Sequence, residues 1–167
     1  MKKTILFASV ILLLFGSCQE KAATDTGKFE AKIKLATDYL LSQEGPGENA
    51  KEGLKLLVEA IEMASAEAEF PSDFREKISE ARRLFESNSI FEQKGVVLLM
   101  ESYLIANAGE EFCMPEAITS VQQAAEYARQ LIGSSQRNLK QGNIGECAKG
   151  LLEVALVVVT PIIQQIQ

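Results

Sequence analysis

Carboxylates are the only reactive side chains that this 167-residue chain carries in abundance: it has 23 Asp and Glu residues and no histidine. The lack of histidine excludes Ser-His-Asp and Cys-His catalysis and histidine-ligated zinc. Glu59 and Glu62 lie three residues apart on one predicted helix face, and Glu69 follows two turns later, a pattern that could bind a hard cation. Metal sites in helical bundles need carboxylates from several facing helices. We therefore expect a solvated acidic face, with no catalytic residue, metal ligand or cofactor.

Glu153 is the only charged residue in the most apolar part of the chain, which runs from Leu151 to Ile163. If this glutamate is buried, it needs a partner such as Arg82, Arg83 or Arg129, or a raised pKa, and it would then mark a polar contact to a ligand. The alternative is a glutamate near a helix end that reaches solvent, because glutamate is rarely fully buried. The sequence leaves both interpretations open.

The N-terminus has the pattern of a secretory signal. Lys2 and Lys3 precede an uncharged apolar run from Ile5 to Phe15 that is too short to span a bilayer. The following residues, Phe15-Gly16-Ser17-Cys18, resemble the lipobox of bacterial lipoproteins. The resemblance implies that residues 1–17 are removed as a signal peptide, that Cys18 is acylated, and that lipid holds the mature chain on a membrane. The alternative is an ordinary signal peptide cleaved at the same place without acylation.

This resemblance also implies a location in the cell envelope, with the domain facing the periplasm or the exterior. Gln19 is not the aspartate that retains some lipoproteins at the inner membrane, which favours the outer membrane in a Gram-negative host. The signal holds two of the 17 Lys and Arg residues and none of the acidic ones, so the mature chain has a formal charge of −8. That charge disfavours nucleic acid as a partner.

If Cys18 is acylated, Cys113 and Cys147 are the remaining thiols. In an exported chain, two cysteines suggest one disulfide. The alternative is two free cysteines that behave as small hydrophobic residues. An unbroken fifth helix from Met114 to about Gln141 would be about 40 Å long and would keep the two apart. The bridge therefore requires a break, for which 132–135 is the best place.

Residues 18–27 carry the lipidated cysteine and a flexible tether, which spans about 30 Å at full stretch. Residues 28–167 form a single domain, in which apolar residues recur with the period of an α-helix. The period predicts an all-α fold of about six helices in antiparallel pairs, either a bundle or a short array of helical hairpins. The predicted core stripes, in chain order, are Phe29, Ile33, Ala36 and Leu40; Leu54, Leu57, Ile61 and Ala64; Phe74, Ile78, Ala81 and Phe85; Val97, Met100 and Leu104; Ile118, Val121, Ala125, Ala128 and Ile132 after an opening Pro115; and a sixth helix apolar on nearly all sides.

Export, a lipid anchor and the lack of a catalytic motif together predict a non-enzymatic module that binds a protein partner or has a structural role. The alternative is a carrier that binds an apolar small molecule between the helices around the segment from Leu151 to Ile163. The expected partners are the membrane, reached through the N-terminal lipid, and a protein of unknown identity.

Overall fold

A computed structural model describes residues 27–40, 48–87 and 93–164, which form six α-helices. The helices are α1 (27–40), α2 (Glu48–Glu67), α3 (Ser72–Glu86), α4 (Gln93–Ala106), α5 (Val121–Lys140) and α6 (Ile144–Gln164). A stretch without regular secondary structure, residues 107–120, separates α4 from α5. The prediction of an all-α fold with about six helices is confirmed.

The apolar helix α6 lies at the centre of the domain and packs against α2, α4 and α5. From Leu151 to Val159 only Glu153 and Val158 are not fully buried. The contact between α2 and α6 joins helices that are far apart along the chain, whereas the units of a linear helical array contact only their neighbours. The described helices therefore form a closed bundle around one core.

The predicted core stripes of α2 and α3 are confirmed in full. Leu54, Leu57 and Ile61 of α2 have no exposed surface, and all four predicted residues of α3 are buried. Their spacing of three and four residues places them on one face of each helix, so the period alone locates the core.

The fifth helix differs from its prediction at its start and in its middle. It begins at Val121 rather than at Pro115, because Ser120 caps it: Ser120 Oγ accepts from the Gln123 N–H at 3.2 Å, and Gln123 Oε1 accepts from the Thr119 N–H at 2.9 Å. The helix continues without a break through 132–135. Its buried residues include Ala124 in place of the predicted Ala125.

Helices α5 and α6 approach closely where Gly150 faces Ser135. A Cβ built on Gly150 would lie well inside van der Waals distance of Ser135 Oγ and at 3.5 Å from Ser135 Cβ. The Ser135 hydroxyl is buried and donates to the Leu131 carbonyl of its own helix at 3.0 Å. Gly150 therefore allows two helices to pack more closely than any residue with a side chain would.

Candidate functional site

Glu153 lies on the central helix and is partly buried, and its partner is a tyrosine of α5. The Tyr127 hydroxyl donates to Glu153 Oε1 at 3.1 Å. Neither Arg82 nor Arg129 pairs with it: Arg82 binds Glu62 and Glu86, and Arg129 binds the glutamate three residues before it. The arginine partners suggested by the sequence are therefore replaced by a neutral donor.

No lysine or arginine of the described residues lies within ion-pair distance of Glu153. Arg83, the third arginine suggested by the sequence, is exposed on α3. The Tyr127 hydrogen bond orients the carboxylate but leaves its negative charge without a cation. A carboxylate in this position can attract a positive group from outside the chain.

Tyr103 of α4 and Phe112 of the 107–120 segment form an aromatic pair, and α4 packs against α6, the helix that carries Glu153. The Tyr103 and Phe112 rings meet edge to face, with their centroids 5.5 Å apart. Burial raises the pKa of both Tyr103 and Tyr127. The negative charge of Glu153 is the second-largest cause for each tyrosine. Helices α4 and α5 both pack against α6, and we name Glu153, Tyr127, Tyr103 and Phe112 the Glu153 cluster.

The solvent side of α4 is apolar, which corrects the predicted core stripe of this helix. Val97 and Met100 are 42 % and 40 % exposed, and the third predicted residue, Leu104, is only partly buried. The core side consists instead of Gly95, Leu98, Leu99 and Ser102. Ser102 is buried without penalty because its hydroxyl donates to the Leu98 carbonyl at 2.7 Å.

We name Val97, Met100 and Leu104 the outer face of α4. These positions are separated by three and four residues and therefore form one continuous stripe. Two ion pairs to α3, Lys77 with Glu101 at 2.7 Å and Lys94 with Glu80 at 2.6 Å, border the helix where it packs on α3.

The two cysteines of the domain are both free thiols in the structure, and no disulfide joins them. Cys113 is exposed in the segment before α5, whereas Cys147 is buried in α6. Burial raises the pKa of the Cys147 thiol to about 11. A buried thiol with a raised pKa is chemically inert at neutral pH.

Glu59 and Glu62 are engaged in ion pairs between helices. Glu59 binds Lys32 of α1, and Glu62 binds Arg82 of α3 at 2.7 Å. Within the described ranges, no three or more His, Cys, Asp and Glu residues come together as a set of metal ligands. The two glutamates link α2 to its neighbours through cations that the chain itself supplies.

Cys18, the signal segment and most of the tether lie outside the described residues. None of the described helices combines the length and the hydropathy that crossing a membrane requires. No family model, no curated protein and no solved structure matches the chain.

Proposed function

We propose that this protein is an exported, lipid-anchored helical domain that binds a partner protein in the cell envelope through the outer face of α4. The observation that carries the docking proposal is the exposure of Val97 and Met100 on a helix whose opposite side is fully packed. Neighbouring apolar side chains left in contact with water favour association.

The outer face of α4 can contribute useful binding free energy. Complete burial of a valine or methionine side chain stabilises by about 1.5–3 kcal/mol. Because Val97 and Met100 keep 42 % and 40 % of their surface exposed, covering the remainder would contribute about 1 kcal/mol each. A contact of this size suits a central anchor supported by polar neighbours.

The anchor part of the proposal rests on the lipobox-like Phe15-Gly16-Ser17-Cys18. It is tested by growing cells with an alkyne-tagged fatty acid and detecting tagged protein after treatment with neutral hydroxylamine, which removes thioester-linked lipid and leaves ester-linked and amide-linked chains. Wild type and Cys113→Ser should be labelled equally, and Cys18→Ser should be unlabelled. Labelling that survives in Cys18→Ser, or is absent from wild type, would overturn the anchor.

The docking part is tested by comparing proteins that copurify with wild type and with the Val97→Ser/Met100→Ser double variant. A specific partner should be lost from the double variant. The matched control is Leu35→Ser, which removes another exposed large apolar side chain, 46 % exposed on α1. A partner that is lost equally from Leu35→Ser would argue against docking through α4.

A further inference from the structure

We propose that the Glu153 cluster is a binding site for one organic cation, the ammonium or guanidinium group of a lysine or arginine side chain on the partner protein. The source of the cation rests on the proposed function, whereas the site itself rests on the geometry of Glu153, Tyr127, Tyr103 and Phe112. A hydrogen bond joins Tyr127 of α5 to Glu153 of α6, a ring contact joins Tyr103 of α4 to Phe112, and α4 and α5 both pack against α6.

The first argument is the uncompensated charge. Two glutamates of α2 that reach a neighbouring helix are each paired with a cation, Glu59 with Lys32 and Glu62 with Arg82. Glu153 instead lies among apolar neighbours of α6 and, from the residues that the structure describes, receives only the neutral hydroxyl of Tyr127. A cation that reaches this carboxylate gains a charge-assisted hydrogen bond without competing with a lysine or arginine of the described residues.

The second argument is the aromatic surface that Tyr127, Tyr103 and Phe112 contribute to the cluster. Tyrosine and phenylalanine rings attract a cation placed over their faces within about 6 Å, and the attraction adds to that of a neighbouring carboxylate. The Tyr127 hydroxyl is hydrogen-bonded to Glu153, and the Tyr103 ring is held edge to face by Phe112. The negative charge of Glu153 contributes to the raised pKa of both tyrosines, and the helices that carry them, α4 and α5, both pack against α6.

The third argument is the position of the cluster next to the outer face of α4. Met100 and Tyr103 are three residues apart on one helix, so their side chains are neighbours. A partner segment that covers Val97 and Met100 with apolar side chains would therefore place an adjacent lysine or arginine over the cluster. The formal charge of −8 on the mature chain favours a basic segment in this role.

The site is tested by nuclear magnetic resonance of protein with isotope-labelled tyrosine rings, purified in mild detergent from the cells that express it. The chain has three tyrosines, and Tyr39 of α1 provides an internal control. Titration with n-propylguanidinium chloride should shift the Tyr103 and Tyr127 ring signals in a saturable way and leave Tyr39 unchanged. Equal shifts with sodium chloride, or none at the two tyrosines, would overturn the site.

Two substitutions on α6 separate the site from a general charge effect. Glu153→Gln preserves the shape of the side chain and should weaken n-propylguanidinium binding about tenfold or more, since hydrogen bonds to charged groups contribute about 1.5–3 kcal/mol. Glu146→Gln removes the same charge from an exposed position paired with Lys149 and should leave the affinity unchanged. Equal weakening by both would attribute the binding to net charge and refute the site.

A final comparison identifies the source of the cation. A short peptide with one arginine between leucines should bind more tightly than n-propylguanidinium, and Val97→Ser/Met100→Ser should remove this gain without changing the affinity for the small cation. A peptide that binds no better than the small cation would overturn the assignment to a protein side chain. If the small cation binds but no envelope protein depends on the outer face of α4, then the proposed function fails while the site stands.

Discussion

Gly150→Ala tests the close contact between α5 and α6, because the new methyl group would meet the Ser135 hydroxyl of α5. That hydroxyl is buried and donates to the Leu131 carbonyl. To make room, the serine must rotate out of this hydrogen bond, or α5 and α6 must move apart.

The size of the effect follows from two opposing contributions. Alanine in a helix interior is favoured over glycine by about 1 kcal/mol. Against this, a buried hydroxyl that loses its partner costs about 1–3 kcal/mol, and overpacking costs a similar amount. We expect Gly150→Ala to lower the free energy of unfolding by about 1 kcal/mol. In a Ser135→Ala background the obstructing oxygen is gone and the nearest atom, Ser135 Cβ, is at an ordinary 3.5 Å, so the same change should stabilise by up to about 1 kcal/mol.

The assay is urea unfolding followed by circular dichroism at 222 nm, in a double-mutant cycle of wild type, both single variants and the double variant. The effect of Gly150→Ala should change sign between the two backgrounds. Gly133→Ala is the control, because its nearest neighbour is an Arg137 guanidinium nitrogen at 3.8 Å, and it should stabilise in both. A Gly150→Ala effect that is the same in both backgrounds would refute the close approach of α5 and α6.

Further outcomes are expected at the thiols, the tyrosines and the α5 cap. In native protein with Cys18 acylated, the Cys113 thiol should react rapidly with an alkylating reagent. The Cys147 thiol should react only on unfolding, since it is buried with a pKa raised to about 11. Two unreactive thiols before reduction would instead reveal a disulfide. Tyr103 and Tyr127 have raised pKa values, so their contribution to stability is present below about pH 10 and is lost as the pH rises through their pKa values in the native protein. Absorbance at 295 nm should show both tyrosines ionising at lower pH in Glu153→Gln. An unchanged titration would contradict an effect of Glu153 on them. Ser120→Ala should destabilise by about 1 kcal/mol in urea unfolding, and no change would show that the cap of α5 lies elsewhere.

The sequence predicted the parts of the fold in which polar and apolar residues alternate clearly. On α3, buried apolar residues recur at every third or fourth position and most of the positions between them are charged, so one face is suited to burial. The central position of α6 was also predictable, because a helix that is apolar on nearly all sides has no side suited to water. The start of α5 was predictable in principle from Ser120 and Gln123, which have the spacing of a capping box.

The outer face of α4 could not be predicted from its period. Between Gly95 and Ala106 the helix has one charged residue, Glu101, so both of its sides are apolar enough to be buried. The position of α3 and α6 decides which side is covered, and that depends on the whole chain. The contact between Tyr127 and Glu153 joins residues 26 positions apart on two helices, so only the packing of α5 on α6 brings them together.

The measurement that tests the central claim most directly is photo-crosslinking in living cells, with a photoreactive amino acid placed in turn at Val97, Leu35 and Gln130 of the otherwise unchanged protein. All three positions are exposed, and Leu35 and Gln130 lie on α1 and α5. A partner bound through α4 should give one discrete crosslinked product from Val97, reduced by Met100→Glu, and none from the other two positions. Equal products from all three positions, or none from Val97, would contradict docking through the outer face of α4.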